Sequence, residues 1–184
     1  MIKLILGIAT IVFALGFNIA FAGHIFGPHW SDRTVTVVDA TKYPIELQQS
    51  IDAWNQSNTV QLTREPGDCR RQNGKIVVCS GSSWYLPLTA WTEYDTQHWR
   101  WQWGAERLHY KWVQIFVTEN FAVEQYDWFR RIVFCHELGH ALGLDENPNE
   151  SPGCLAKGPT AIGTREYPDA HDFETLAAIY NHTD

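Results

Sequence analysis

Hydrophobic positions recur along this chain with three different spacings, and each spacing predicts a different kind of element. Leu4 to Phe17 is an uncharged apolar run behind the single positive charge of Lys3, and Ala20-Phe21-Ala22 follows it. That is the form of a signal peptide with a small-x-small cleavage site, so cleavage is expected after Ala22, leaving residues 23–184 as one domain. An uncleaved anchor is the alternative, because Leu4 to Ala22 is nearly long enough to cross a bilayer. Short β-branched segments predict strands at Arg33–Thr41, Val60–Thr63, Lys75–Cys79 and Trp112–Glu119, with turns at Pro66-Gly67 and Gly81-Ser82-Ser83. Roughly helical spacing of Ile45, Leu47, Ile51 and Trp54 predicts a helix from Pro44 to about Ser57. From about Tyr126 to Leu144, apolar residues on more than one side (Phe129, Val133, Phe134, Leu138, Leu142) predict a long, buried helix. Asn147 to Thr164, rich in proline and glycine, reads as an irregular loop, and Asp172 to Asn181 as a terminal helix.

Residues 84–112 hold an unusual density of aromatics, and Trp99, Trp101 and Trp103 alternate like one face of an extended strand. A packed hairpin covering a sheet is the expected arrangement, an aromatic wall along a groove the alternative, with Trp84 to Leu88 as the edge of a cleft.

Composition narrows the function classes. Cleavage would leave 162 residues, enough for a single domain that buries roughly two-thirds of its unfolded surface. The formal charge of −7 becomes −8 without Lys3 (13 basic, 21 acidic), and no basic cluster appears. Nucleic acid and anionic membrane surfaces are therefore poor partners. Four cysteines behind an export signal predict two disulfides rather than free thiols. Cys69 and Cys79 flank the turn-like Gln72-Asn73-Gly74, which points to a local hairpin bridge. That pairing leaves Cys135 with Cys154, tying the residue before His136 to the loop beyond the helix.

The chemistry is concentrated in His136-Glu137-Leu138-Gly139-His140-Ala141-Leu142-Gly143-Leu144-Asp145-Glu146, an HExxHxxGxxE run. Four residues of helix bring His136 and His140 to one face, where both imidazoles can grip one metal ion. Glu137 lies beside the first ligand as a candidate base for a metal-activated water. Gly143 permits the left-handed residue that ends a helix and turns the chain back, and Glu146 waits there as a third ligand. Asp145, or a later acid such as Asp172 or Glu174, is the alternative.

The run resembles the motif of the metzincin clan of zinc endopeptidases, and among them the matrixin-like secreted proteins of bacteria. The resemblance implies an α+β fold, a single domain with a twisted mixed (mostly parallel) sheet, a long active-site helix and a C-terminal helix. It implies zinc as cofactor on His136 and His140, Glu137 as general base, and hydrolysis of peptide or protein substrates outside the cytoplasm. A rim strand that aligns the peptide by β-pairing would fall at Trp84–Thr89. Two positions differ from the family. Glu146 stands where histidine or sometimes aspartate is usual, and Leu155 stands where a methionine lies in a tight turn under the metal. A carboxylate remains a competent zinc ligand, and leucine conserves most of the volume. These departures leave a second reading, a non-catalytic zinc-containing binding protein on a degenerate metzincin scaffold. His98, His109, His171 and His182 match no metal-site spacing and are expected in packing or surface roles; Asp169 and Asp172 read as a helix cap and its surroundings. Tyr167 and Pro168 would line the pocket beyond the cleaved bond, by analogy with the family. The protein is expected to act as a monomer, with no stable membrane partner unless the N-terminal segment is retained.

Overall fold

The computed structural model describes residues 28–82, 89–99, 107–147, 153–156 and 166–181. The expected signal segment (1–22), Trp84 to Leu88, Trp101, Trp103, His182 and most of the 147–164 loop lie outside these residues.

The first described strand is β1 (Thr34–Ala40), whose β-branched residues suit a pleated surface buried on both faces. Val35 and Val37 point to one side and Val38 to the other, and all three are buried. Helix α1 (Pro44–Trp54) opens on proline, whose missing N–H costs nothing in a first turn. It buries Leu47, Ile51 and Trp54, whereas Ile45, expected on the same face, is 70% exposed. Ile45 precedes Leu47 by two residues, about 200° around the helix, so it faces water. Strands β2 (Gln61–Pro66) and β3 (Lys75–Gly81) follow, then β4 (Ala90–Trp99) and β5 (Arg107–Thr118).

These form one five-stranded sheet in the order β2-β1-β3-β5-β4. Three pairings are parallel, and only β4 runs antiparallel, at the edge beside β5. The fold is thus α+β with a mixed, mostly parallel sheet. The aromatic-rich region does form a hairpin, but the hairpin belongs to the sheet instead of covering it. Its second strand starts at Arg107, five residues before the expected Trp112, and in this added stretch Lys111 pairs with Asp95 of β4.

Three further helices follow among the described residues: α2 (Phe121–Gln125), α3 (Asp127–Ala141) and α4 (Ala170–Ile179). Periodicity did not predict α2, which has too few residues to show any; the Asn120 side chain accepts the Val123 N–H at its start. The terminal helix begins two residues before Asp172, at a capping box in which Asp169 accepts from the Asp172 N–H and Asp172 from the Asp169 N–H.

Helices α1, α3 and α4 bury Trp54, Phe134, Leu138 and Leu176 against Val37, Ile76, Val78 and Ile115 of the sheet. On the opposite face, Val38, Val77 and Cys79 form a second, small apolar cluster. The connection from β2 to β3 crosses this face, and Gly67 lies so close that a Cβ there would stand 2.3 Å from Val38 Cγ1. Cys69 is bonded to Cys79 and fastens the crossing. The bridge forms as expected but not in a hairpin, since β2 and β3 flank β1 in parallel. Cys135 is bonded to Cys154 on the helical side. Among the described residues, no helix is long and apolar enough to cross a membrane.

Candidate metal centre

The site is built on α3, held against the sheet by Phe129, Val133, Phe134 and Leu138. The helix stops where its glycine allows. Gly143 has φ +99°, the Gly143 N–H bonds to His140 O at 3.0 Å and the Leu144 N–H to Gly139 O at 3.1 Å, a Schellman closure. Side chains from three distant elements take up neighbouring carbonyls. The Trp30 indole donates to Ala141 O (2.8 Å), the Tyr110 hydroxyl to His140 O (3.0 Å) and the Tyr180 hydroxyl to Leu142 O (3.2 Å). Burial pushes both phenols well above the ordinary tyrosine range, so they remain donors at any working pH.

Each histidine is fixed through its Nδ1. The chain reversal after Gly143 brings Leu144 O to His140 Nδ1 at 2.9 Å, and the turn at Gly153–Ala156 brings Cys154 O to His136 Nδ1 at 3.0 Å. A carbonyl only accepts, so each Nδ1 carries a proton, and in the neutral imidazole each Nε2 then carries the lone pair that a metal takes. Those two Nε2 atoms face each other at 3.0 Å. Two acceptors at that distance repel unless a cation lies between them and a third group. Tetrahedral zinc with bonds near 2.0–2.1 Å would hold two nitrogens roughly 3.3 Å apart. The pair therefore fits the metal that the motif implies.

The turn that supplies Cys154 O is itself anchored on several sides. Cys154 is bonded to Cys135, its N–H donates to Tyr167 O, the Gly153 N–H donates to Asp169 Oδ2, and Asn147 N donates to Leu155 O. Leu155 is wholly buried, and a Cβ on Gly139 would meet its methyl carbons at 2.7 and 2.9 Å and Trp54 at 2.9 Å. The small residue in the middle of the motif thus lets Leu155 close beneath the helix as an apolar plug.

Glu137 is buried, and its Oε2 accepts a 2.5 Å hydrogen bond from Thr92 Oγ1 on β4. A cleft of about 350 Å³ opens between β4 and the helix, lined by Ala90, Trp91, Thr92 and Tyr94 on one side and His136, Glu137 and His140 on the other. Asp145 and Glu146 line it as well, and the Glu146 N–H donates to Asp145 Oδ1. Among the described residues, no three histidine, cysteine or acidic side chains are drawn together into a closed metal cage. The structure brings His136 and His140 together, sets Glu137 beside them, and puts Glu146 on the cleft wall without closing a three-ligand set. Asp172, by contrast, is engaged in the α4 cap, and Glu174 is exposed on α4.

Sequence reasoning missed Thr92 and Tyr94. Alternation along Ala90, Thr92 and Tyr94 would have put them on one face, but only the pairing of β4 with β5 turns that face toward α3. His109 is buried, edge-on to His29 with ring centres 5.0 Å apart, a packing role as expected.

No family model and no curated protein matches this chain. Among solved structures it is similar to two structures of myroilysin: one with TM-score 0.48 and 11% identity, covering 88% of this chain and 100% of that chain, the other with 0.46 and 12%, covering 88% and 93%. It is also similar to high choriolytic enzyme 1, a hatching-enzyme zinc protease of the medaka fish Oryzias latipes, with TM-score 0.46 and 12% identity over 85% of this chain and 94% of that chain.

Proposed function

We propose that this protein is a secreted, zinc-dependent endopeptidase of metzincin type, and that His136, His140 and Glu146 hold its metal. The observation that carries the reading is the pair of Nδ1-anchored imidazoles with facing Nε2 atoms at 3.0 Å and a buried carboxylate alongside. Two histidines and one carboxylate form a competent catalytic zinc set. Bound zinc would supply a Lewis acid that makes a water nucleophilic near neutral pH. Glu137 takes the proton of the attacking water and returns it to the leaving amine. Among the described residues β4 is the edge strand, and its backbone N–H and C=O groups would pair with an extended peptide in the cleft, with Trp91 and Tyr94 beside it.

Metal analysis combined with hydrolysis of fluorescein-labelled casein tests this. About one zinc per chain is expected, with Glu137→Gln keeping the metal and losing at least ~100-fold in turnover. Glu146→Ala should weaken zinc binding by ~10-fold or more while Asp145→Ala does not; unchanged affinity in Glu146→Ala would remove Glu146 from the ligand set. Zinc without turnover in the wild type would favour the non-catalytic binding protein instead.

A further inference from the structure

We propose that Thr92 is the positioning residue for Glu137, fixing which carboxylate oxygen serves as the base; the inference rests on the hydrolase reading above. An ionised carboxylate can only accept, so the 2.5 Å contact has Thr92 Oγ1 donating to Glu137 Oε2. That bond takes one lone pair of Oε2 and pins the carboxylate, so Oε1 is the oxygen that exchanges a proton with the reacting water. The donor is well chosen for stiffness. Threonine is branched at Cβ and holds few rotamers, and Thr92 stands in a paired register opposite Ile115, on the face of β4 that lines the cleft. Glutamate has three side-chain torsions, so without this bond its carboxylate would sample positions that do not meet the water. A donor on the oxygen not in use also steadies the negative charge of a buried group. The bond reaches from the edge strand to the site helix, 45 positions apart in sequence, and thus sets the width of the cleft where the base sits.

Thr92→Val keeps the shape and removes the donor; Thr92→Ser keeps the donor. In the mature, zinc-loaded protein acting on labelled casein, Thr92→Val is expected to lower kcat roughly 10-fold with KM within about 2-fold and zinc content unchanged, and Thr92→Ser to recover most of the loss. A tie that only joined strand to helix would lower Tm without this selective effect on kcat. The pairing itself is read in metal-free protein by a double-mutant cycle: Tm losses of Thr92→Val and Glu137→Ala should be sub-additive by about 2 °C or more. Additive losses, or a Thr92→Val protein with wild-type kcat, overturn the inference. A wild type without turnover overturns the hydrolase reading and the catalytic half of this one, while the Tm cycle still decides the pairing.

Discussion

Asp172 is a carboxylate folded into a place that disfavours its charge. It is wholly buried, and burial, with Asp169 nearby, pushes it up to about 6. An acid whose pKa rises on folding binds its proton more tightly in the native state. Stability from this group is therefore greatest below about pH 4, where both states are protonated. It falls as pH climbs toward 6, because the unfolded chain ionises first, by roughly 3 kcal/mol in all. Asp172→Asn keeps an acceptor for the Asp169 N–H and carries no charge. Urea unfolding of both proteins from pH 4 to 7 should show the variant gaining on the wild type between pH 4 and 6 and level thereafter; parallel curves would count against this account. The same residue shows why sequence reading stops short at this scale. A cap at Asp169 and Asp172 was legible from residue type, but the crowding by Gly153, whose Cβ would stand 2.2 Å from Asp172 Oδ2, depends on a loop folding back from far along the chain. Leu155 was expected as an apolar plug only through the resemblance, in which an apolar side chain fills that turn and leucine conserves most of the volume of methionine.

At the scale of elements, the end of α3 is held by donors that do not come from α3. Helices leave their last carbonyls unpaired, and here Trp30, Tyr110 and Tyr180 take three of them in succession. Tyr110→Phe removes one hydroxyl and leaves the His140 carbonyl without that partner inside the protein, at a cost of about 1–2 kcal/mol in denaturant unfolding. A loss under a few tenths would mean that water replaces the hydroxyl. Helix α3 and its Gly143 stop were readable in sequence because periodicity and a positive-φ glycine are local signals. β4 was not, since Ala90-Trp91-Thr92-Glu93-Tyr94 has the composition of a surface strand and acquires its role from what lies across the cleft. Trp84 to Leu88, expected as a cleft edge, lie outside the described residues, and the strand that lines the cleft among those described begins at Ala90.

Across the whole molecule, the two disulfides fasten opposite faces of the sheet, one over the β2–β3 crossing and one under the site. Cys135 and Cys154 are 19 residues apart, and removing such a closure frees the unfolded chain by about 3 kcal/mol. Cys135→Ala/Cys154→Ala should show a loss of that order by guanidinium unfolding, together with weaker zinc binding as the Cys154 carbonyl loses its tether to His136; a Tm equal to wild type would show that the turn's other anchors suffice.

The three donors at the end of α3 also bear on how the protein comes into being. Trp30 belongs to the first described residues, Tyr180 to nearly the last, and Tyr110 to the middle of the sheet. Contacts of such sequence separation form late, because the intervening chain must be ordered before they can be made. The end of the helix that presents His140 is consequently finished only when the segments that carry Trp30, Tyr110 and Tyr180 have docked on it. A chain cut before Tyr180 would carry the whole histidine motif and still lack one of the three donors that frame its end.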